Sequence, residues 1–223
     1  MQKPQGITET RGPRWARRKD ARPNEIIAAA LSVFSEHGYA ATRIEDIAVC
    51  AGVTKGTVYL YFKSKEDLFG AVIRETLAST IVSGEELLDR YQGSTAELMR
   101  EMASLVWERI GETGAGIIPK LVLAEARKFP EVARLYYETV VEPSRLLNCR
   151  IIERGIARGE FRPVNPHDYT SLLLAPAIFL LLWRHAFEYA VPDAALAPKQ
   201  VLDTYVDMVL RALAVTKQPE GPS

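Results

Sequence analysis

Thr42-Arg43-Ile44-Glu45-Asp46-Ile47-Ala48-Val49-Cys50-Ala51-Gly52-Val53-Thr54-Lys55-Gly56-Thr57-Val58-Tyr59-Leu60-Tyr61-Phe62-Lys63 reads as a short helix, a turn and a second short helix. Thr42 is a capping residue with Glu45 three positions on, the pattern of a reciprocal capping box. Ile44, Ile47 and Ala48 fall on one helical face. Ala51-Gly52-Val53 makes a tight turn, and Thr54 caps the second helix, which runs to about Tyr61. Val58 and Phe62 are four apart and point inward, so Lys55, Thr57, Tyr59, Tyr61 and Lys63 are left for solvent or a partner. Gly56 lets the backbone approach that partner closely. A helix-turn-helix places its second helix in the DNA major groove. Ammonium and hydroxyl groups near that helix start suit base edges, and tyrosine hydroxyls suit phosphate oxygens.

Reading outward, the remainder is helix after helix, about nine in all, and the fold class is all-α. Ile26, Ile27, Ala30, Leu31 and Phe34 form an apolar stripe over residues 23–37, with Pro23 in the first turn and Gly38 as the stop. Ser64 with Asp67 opens a long fourth helix ending near Tyr91. Ser94 with Glu97 is a further capping box and opens a fifth helix, broken at Gly111, Gly114 and Gly116. A sixth spans residues 117–128, and a seventh spans residues 132–158 and bends near Pro143. Asn165-Pro166 opens an eighth and Pro198 a ninth, which ends near Val215. The division that follows is a basic disordered arm, 1–22; a helix-turn-helix domain, 23–68; a ligand-binding and dimerisation domain, 69–216; and a disordered tail, 217–223.

The chain of 223 residues is 48% apolar and 25% charged, enough to build a core and stay ordered. Its 28 basic and 28 acidic residues cancel, but residues 1–63 hold ten basic against six acidic side chains, a net of +4. A basic end on an acidic body suits contact with phosphate at that end. Cys50 and Cys149 have no metal or disulfide spacing, which points to a reducing compartment, and each is read as a buried small apolar residue. The polar N-terminus shows no signal sequence, so the expected location is the cytoplasm. The most apolar run, residues 172–183, is short for a membrane span and contains Pro176, so it reads as a buried helix with no membrane partner.

Residues 41–48, 51–59 and 61–68, together with Ala30, Phe34, Gly38 and Tyr39, resemble the TetR family of transcriptional regulators. This likeness covers roughly residues 24–70; Phe129-Pro130-Glu131, Tyr136-Tyr137 and 158–161 extend it more weakly. The resemblance implies a dimeric regulator that binds double-stranded operator DNA and a small-molecule effector. Carried over by position, Thr42 and Arg43 meet phosphate. Lys55, Gly56 and Thr57 face bases or neighbouring phosphates, Tyr59 and Tyr61 meet phosphates, with a base also in reach of Tyr59, and Thr54 and Lys63 complete the DNA-binding set. Lys65 clamps phosphate at a helix start. Arg14, Arg17, Arg18, Lys19 and Arg22 of the arm add backbone or minor-groove contacts.

The body has no nucleophile elbow, phosphate loop or metal spacing among His37, His167 and His185, so no catalytic residue, metal or cofactor is expected. Trp107, Phe129, Tyr136, Tyr137, Phe179, Trp183 and Phe187, with Asn148 or His185 as polar groups, are the candidate pocket lining; each also reads as ordinary core. The eighth helix is apolar nearly all round, and the ninth repeats Val201, Tyr205, Met208 or Val209, and Ala212. Residues 166–215 are therefore the expected homodimer surface, with Leu180 and Tyr205 facing the partner. The leading reading is a repressor released from a palindromic site by a largely apolar ligand. A corepressor-dependent regulator or activator uses the same contacts with the opposite sign. A helical enzyme with an accessory DNA-binding domain lacks a catalytic set. An architectural module that has lost DNA binding sits poorly with the intact Lys55, Tyr59, Tyr61 and Lys65.

Overall fold

The computed structural model describes residues 14–188 and 190–215. They form eleven α-helical segments: α1 (Arg14–Ala41), α2 (Ile44–Cys50), α3 (Lys55–Tyr61), α4 (Lys65–Ile73), α5 (Ser79–Arg90), α6 (Thr95–Val106), α7 (Ile118–Glu125), α8 (Pro130–Tyr136), α9 (Glu142–Ala157), α10 (Pro166–Trp183) and α11 (Pro198–Leu213). π-Helical turns at Arg74–Ala78 and Tyr137–Val141 join α4 to α5 and α8 to α9, so nine continuous helices result, as the sequence pattern requires. Two more π turns, Trp107–Gly111 and Arg184–Glu188, extend α6 and α10. Among the described residues no strand forms, only a single bridge between Phe161 and Ala214.

The helix starts follow the side-chain chemistry. The hydroxyls of Thr54, Ser64 and Ser94 accept the backbone N–H groups of Thr57, Asp67 and Glu97, and Asn165 accepts that of His167. Gly38 and Gly52 take φ of 78° and 63°, values that side chains bearing a Cβ rarely adopt; Gly38 kinks α1 in its last turn and Gly52 turns the chain after α2. α1 differs from its expected start. Arg14–Arg22 continue the helix toward the N-terminus, because arginine, lysine and alanine there are good helix formers and Pro23 removes only one donor. The rest of the arm, residues 1–13, and the tail from 216 lie outside the described residues.

One apolar cluster unites α1–α4 and runs on into Leu77, Ala115, Ile118, Leu121, Val122 and Val132. The expected domain boundary at 68/69 thus falls inside a helix and inside one core. Leu135 of α8 lies against Gly70 of α4, and Phe129 stacks edge-on to Tyr39 at 5.1 Å, which fastens the two regions. A second cluster joins Leu88, Leu98, Met102, Ile151, Val206 and Leu213, from α5, α6, α9 and α11. Pro166–Glu188, at 23 residues, is long and apolar enough to cross a membrane by length and composition. It exceeds the run read from sequence because the helix starts six residues earlier and runs on through the π turn. In the fold it packs on α7, α9 and α11.

Candidate DNA interface and ligand cavity

The turn between α2 and α3 is held by its own backbone: Ala51 N–H donates to Ile47 O, Gly52 N–H to Val49 O and Val53 N–H to Ala48 O, at 2.9–3.1 Å. Val58 and Phe62 are buried, as their spacing predicts. The outer face of α3 exposes Lys55, Gly56, Tyr59 and Leu60, with Arg43 before α2 and Lys63 after α3 also exposed. The Thr57 and Thr54 hydroxyls lie 2.9 Å apart at the helix start, and Tyr61 is half-buried. Lys55 Nζ sits 2.5 Å from Glu45 Oε1 and 5.7 Å from the Tyr59 ring centre. The hydrogen bond from Lys55 holds the Glu45 carboxyl below its ordinary range, and the same bond raises Lys55. Both side chains are about half exposed, so water screens the pair.

Two of the expected phosphate partners are occupied within the protein. Thr42 is 2% exposed, and its hydroxyl donates to Gly38 O at 2.7 Å. That bond ties Thr42 to the end of α1 and shifts the cap of α2 to Arg43, whose N–H donates to Asp46 at 3.2 Å instead of the Thr42–Glu45 box. Lys65 Nζ donates to the carbonyls of Tyr39, Ala40 and Thr42 at 2.9–3.2 Å and lies 4.7 Å from the Tyr39 ring centre. All three ammonium protons are therefore used on the end of α1. Cys50, expected inside, is exposed on α2; Cys149 is buried, with Sγ 3.5 Å from His167 Nδ1.

The body holds a partly open cavity of about 650 Å³ between α5, α6, α7, α8, α9, α10 and α11. Trp107, Tyr136, Asn148 and Phe179 line it as expected. Phe129, Tyr137 and Trp183 do not. Phe129 belongs to the junction with Tyr39, Tyr137 turns outward and donates to Glu142 at 3.1 Å, and Trp183 stacks between Phe179 and Phe187. Leu77, Ile81, Met99, Met102, Leu181 and Leu202 also belong to the apolar wall, and periodicity did not single them out as cavity residues. Ser144, Arg145, Asn148 and Ser171 add polar groups. Burial alone pushes the Tyr136 hydroxyl up to about 12.

A helix-turn-helix with a cationic and aromatic outer face, on a helical body that holds a partly open apolar cavity, defines a ligand-sensing DNA-binding regulator. Residues 26–72 match the model described as "Bacterial regulatory proteins, tetR family", and residues 89–209 match "Tetracyclin repressor-like, C-terminal domain". The chain belongs to the TetR family of transcriptional regulators. It is 45% identical over 187 residues to the transcriptional regulator RutR of Escherichia coli strain K12, covering 77% of this chain and 78% of that one. It is 26% identical over 191 residues to the transcriptional repressor KstR2 of Mycolicibacterium smegmatis, covering 85% and 89%. The fold matches that of FadR from Bacillus subtilis, solved with stearoyl-CoA, with a TM-score of 0.72 at 22% identity, over 85% of this chain and 98% of that one.

Proposed function

We propose that this chain is a cytoplasmic homodimeric repressor that leaves its palindromic operator when a largely apolar ligand fills the cavity. The observation that carries this reading is the shared wall. Leu77, Thr80 and Ile81 line the cavity from the same continuous helix whose start, residues 64–67, follows the recognition helix α3. Tyr136 lines it from α8, whose first turn carries Phe129 against Tyr39. A ligand that displaces either wall moves the DNA-binding helices as rigid units. Arg43, Thr54, Lys55, Gly56, Thr57, Tyr59, Tyr61 and Lys63 form the DNA face. Thr42 and Lys65 shape it from behind. The exposed apolar faces of α10 and α11 pair two copies, which sets two recognition helices about 34–36 Å apart on successive major grooves.

The test is a titration of DNA flanking the protein's own gene, with and without ligand, by anisotropy. Release requires that operator weaken ligand binding by the factor by which ligand weakens operator binding. Equal ligand affinity with and without operator overturns the switch, and tighter ligand binding on DNA marks a corepressor.

A further inference from the structure

We propose that the effector is an apolar acid, with a hydrocarbon body in the cavity and a single anionic head received by Arg145; this rests on the cavity being the effector site. Among the described lining residues, Arg145 is the one side chain with a full charge at neutral pH, and no carboxylate, lysine or histidine lines the chamber. Ser144, Arg145 and Asn148 sit at three- and four-residue spacing on α9, so one helical face presents them together, with Ser171 of α10 also in the lining.

The guanidinium is fixed from behind. Nη1 donates to Glu142 Oε2 at 3.0 Å and Nε to Thr170 Oγ1 at 3.4 Å, and neither partner lines the cavity. Glu142 is itself held by the Tyr137 hydroxyl at 3.1 Å. Arginine has five donors. Nη2 has no protein acceptor within hydrogen-bond distance among the described residues, so the outer part of the fork is uncommitted in a half-buried, largely apolar setting. Carboxylate oxygens match that fork in charge and geometry. A neutral head leaves donors unfilled, and an ammonium head meets a like charge with no carboxylate in the wall to offset its burial.

The experiment uses the full chain and the neutral apolar fluorophore N-phenyl-1-naphthylamine, displaced by dodecanoate, dodecanol or dodecylamine below their aggregation limits. Dodecanoate is expected to displace the probe at concentrations roughly ten- to hundredfold lower than dodecylamine, the size of a charge-assisted hydrogen bond. Arg145→Met should bring dodecanoate to the level of dodecanol while the probe still binds and dodecanol still displaces it, and an unchanged circular dichroism spectrum shows that the variant folds. Arg145→Lys should keep part of the preference. Equal displacement by the three heads, or an undiminished dodecanoate preference in Arg145→Met, overturns the proposal while leaving the cavity as effector site. Failure of the probe and of all three amphiphiles to bind the wild-type chain overturns the effector-site reading itself, and this proposal with it.

Discussion

Lys65, expected at the DNA, has a part in the fold as well. Its three bonds to the end of α1 lock that helix to the start of α4. Lys65→Met is expected to lower stability by about 1–2 kcal/mol, discounted for partial exposure, read as a lower urea midpoint. Glu45 holds Lys55 on the proposed DNA face, where a phosphate would have to replace it. Glu45→Gln should strengthen binding to any duplex and steepen its salt dependence, because one more cation is free to displace counterions; an anisotropy titration at several salt concentrations checks this. His185 is held below its ordinary range by burial first, then by Arg184 and Lys120, with Glu188 opposing. In the unfolded chain it takes up a proton that the folded chain refuses. Stability therefore falls as pH drops through the unfolded value of about 6.5 and levels off below the folded one. His185→Gln should lose less stability than wild type between about pH 7.5 and 5.5 in urea titrations, since the titration is removed.

At the scale of elements, two helical segments reach from the cavity wall to the DNA-binding helices, α8 as well as the long α4–α5 helix. α8 is seven residues long, with Tyr136 in the cavity wall at one end and Phe129 against Tyr39 just before the other. A helix this short moves as a block. Phe129→Leu keeps an apolar side chain and should cost about 1 kcal/mol of stability. It removes the edge-on ring contact, so the ligand's effect on operator affinity should shrink several-fold from a starting coupling of about 1–3 kcal/mol. Operator titrations of the variant with and without ligand measure this, and an unchanged ratio would assign the coupling to α4–α5.

For the whole molecule, assembly depends on which side of α10 is spare. Leu180, expected to face the partner, is 2% exposed and packs with Trp107, Leu181 and Leu202. Tyr205 is half-buried, and its hydroxyl donates to Leu172 O, tying α11 to α10 within one chain. The exposed apolar residues are instead Leu172, Phe179 and Phe187 on the α10 helix and its π turn, and Met208 on α11, which is 64% exposed. Leu172→Glu with Met208→Glu should weaken the dimer by more than about 2 kcal/mol, roughly thirtyfold, without unfolding it, and should abolish high-affinity operator binding. Leu180→Asp should unfold the body instead. Sedimentation and circular dichroism separate the two outcomes.

The nine helices, the caps at Thr54, Ser64, Ser94 and Asn165 and the turn at Gly52 were legible in the chain because each is settled within a few residues: a side-chain oxygen two or three positions before an amide, a glycine at positive φ, an apolar residue every third or fourth place. Lys55, Tyr59 and Lys63 are exposed as the spacing of Val58 and Phe62 requires, whereas Thr57 and Tyr61 are half-buried and the exposed Leu60 was not in that set. Partners across the fold were not legible. The bonds of Lys65 reach back 23 to 26 positions, and Thr42 is turned inward by a carbonyl of the preceding helix. Periodicity says that a face is covered and not by what, so Phe129, Tyr137 and Trp183 looked like cavity residues beside Trp107 and Tyr136. On α10, apolar nearly all round, it could not separate the side facing its own chain from the side left for a second copy. A cavity is space that seven helices decline to fill, and that property belongs to their packing and to no segment of the chain.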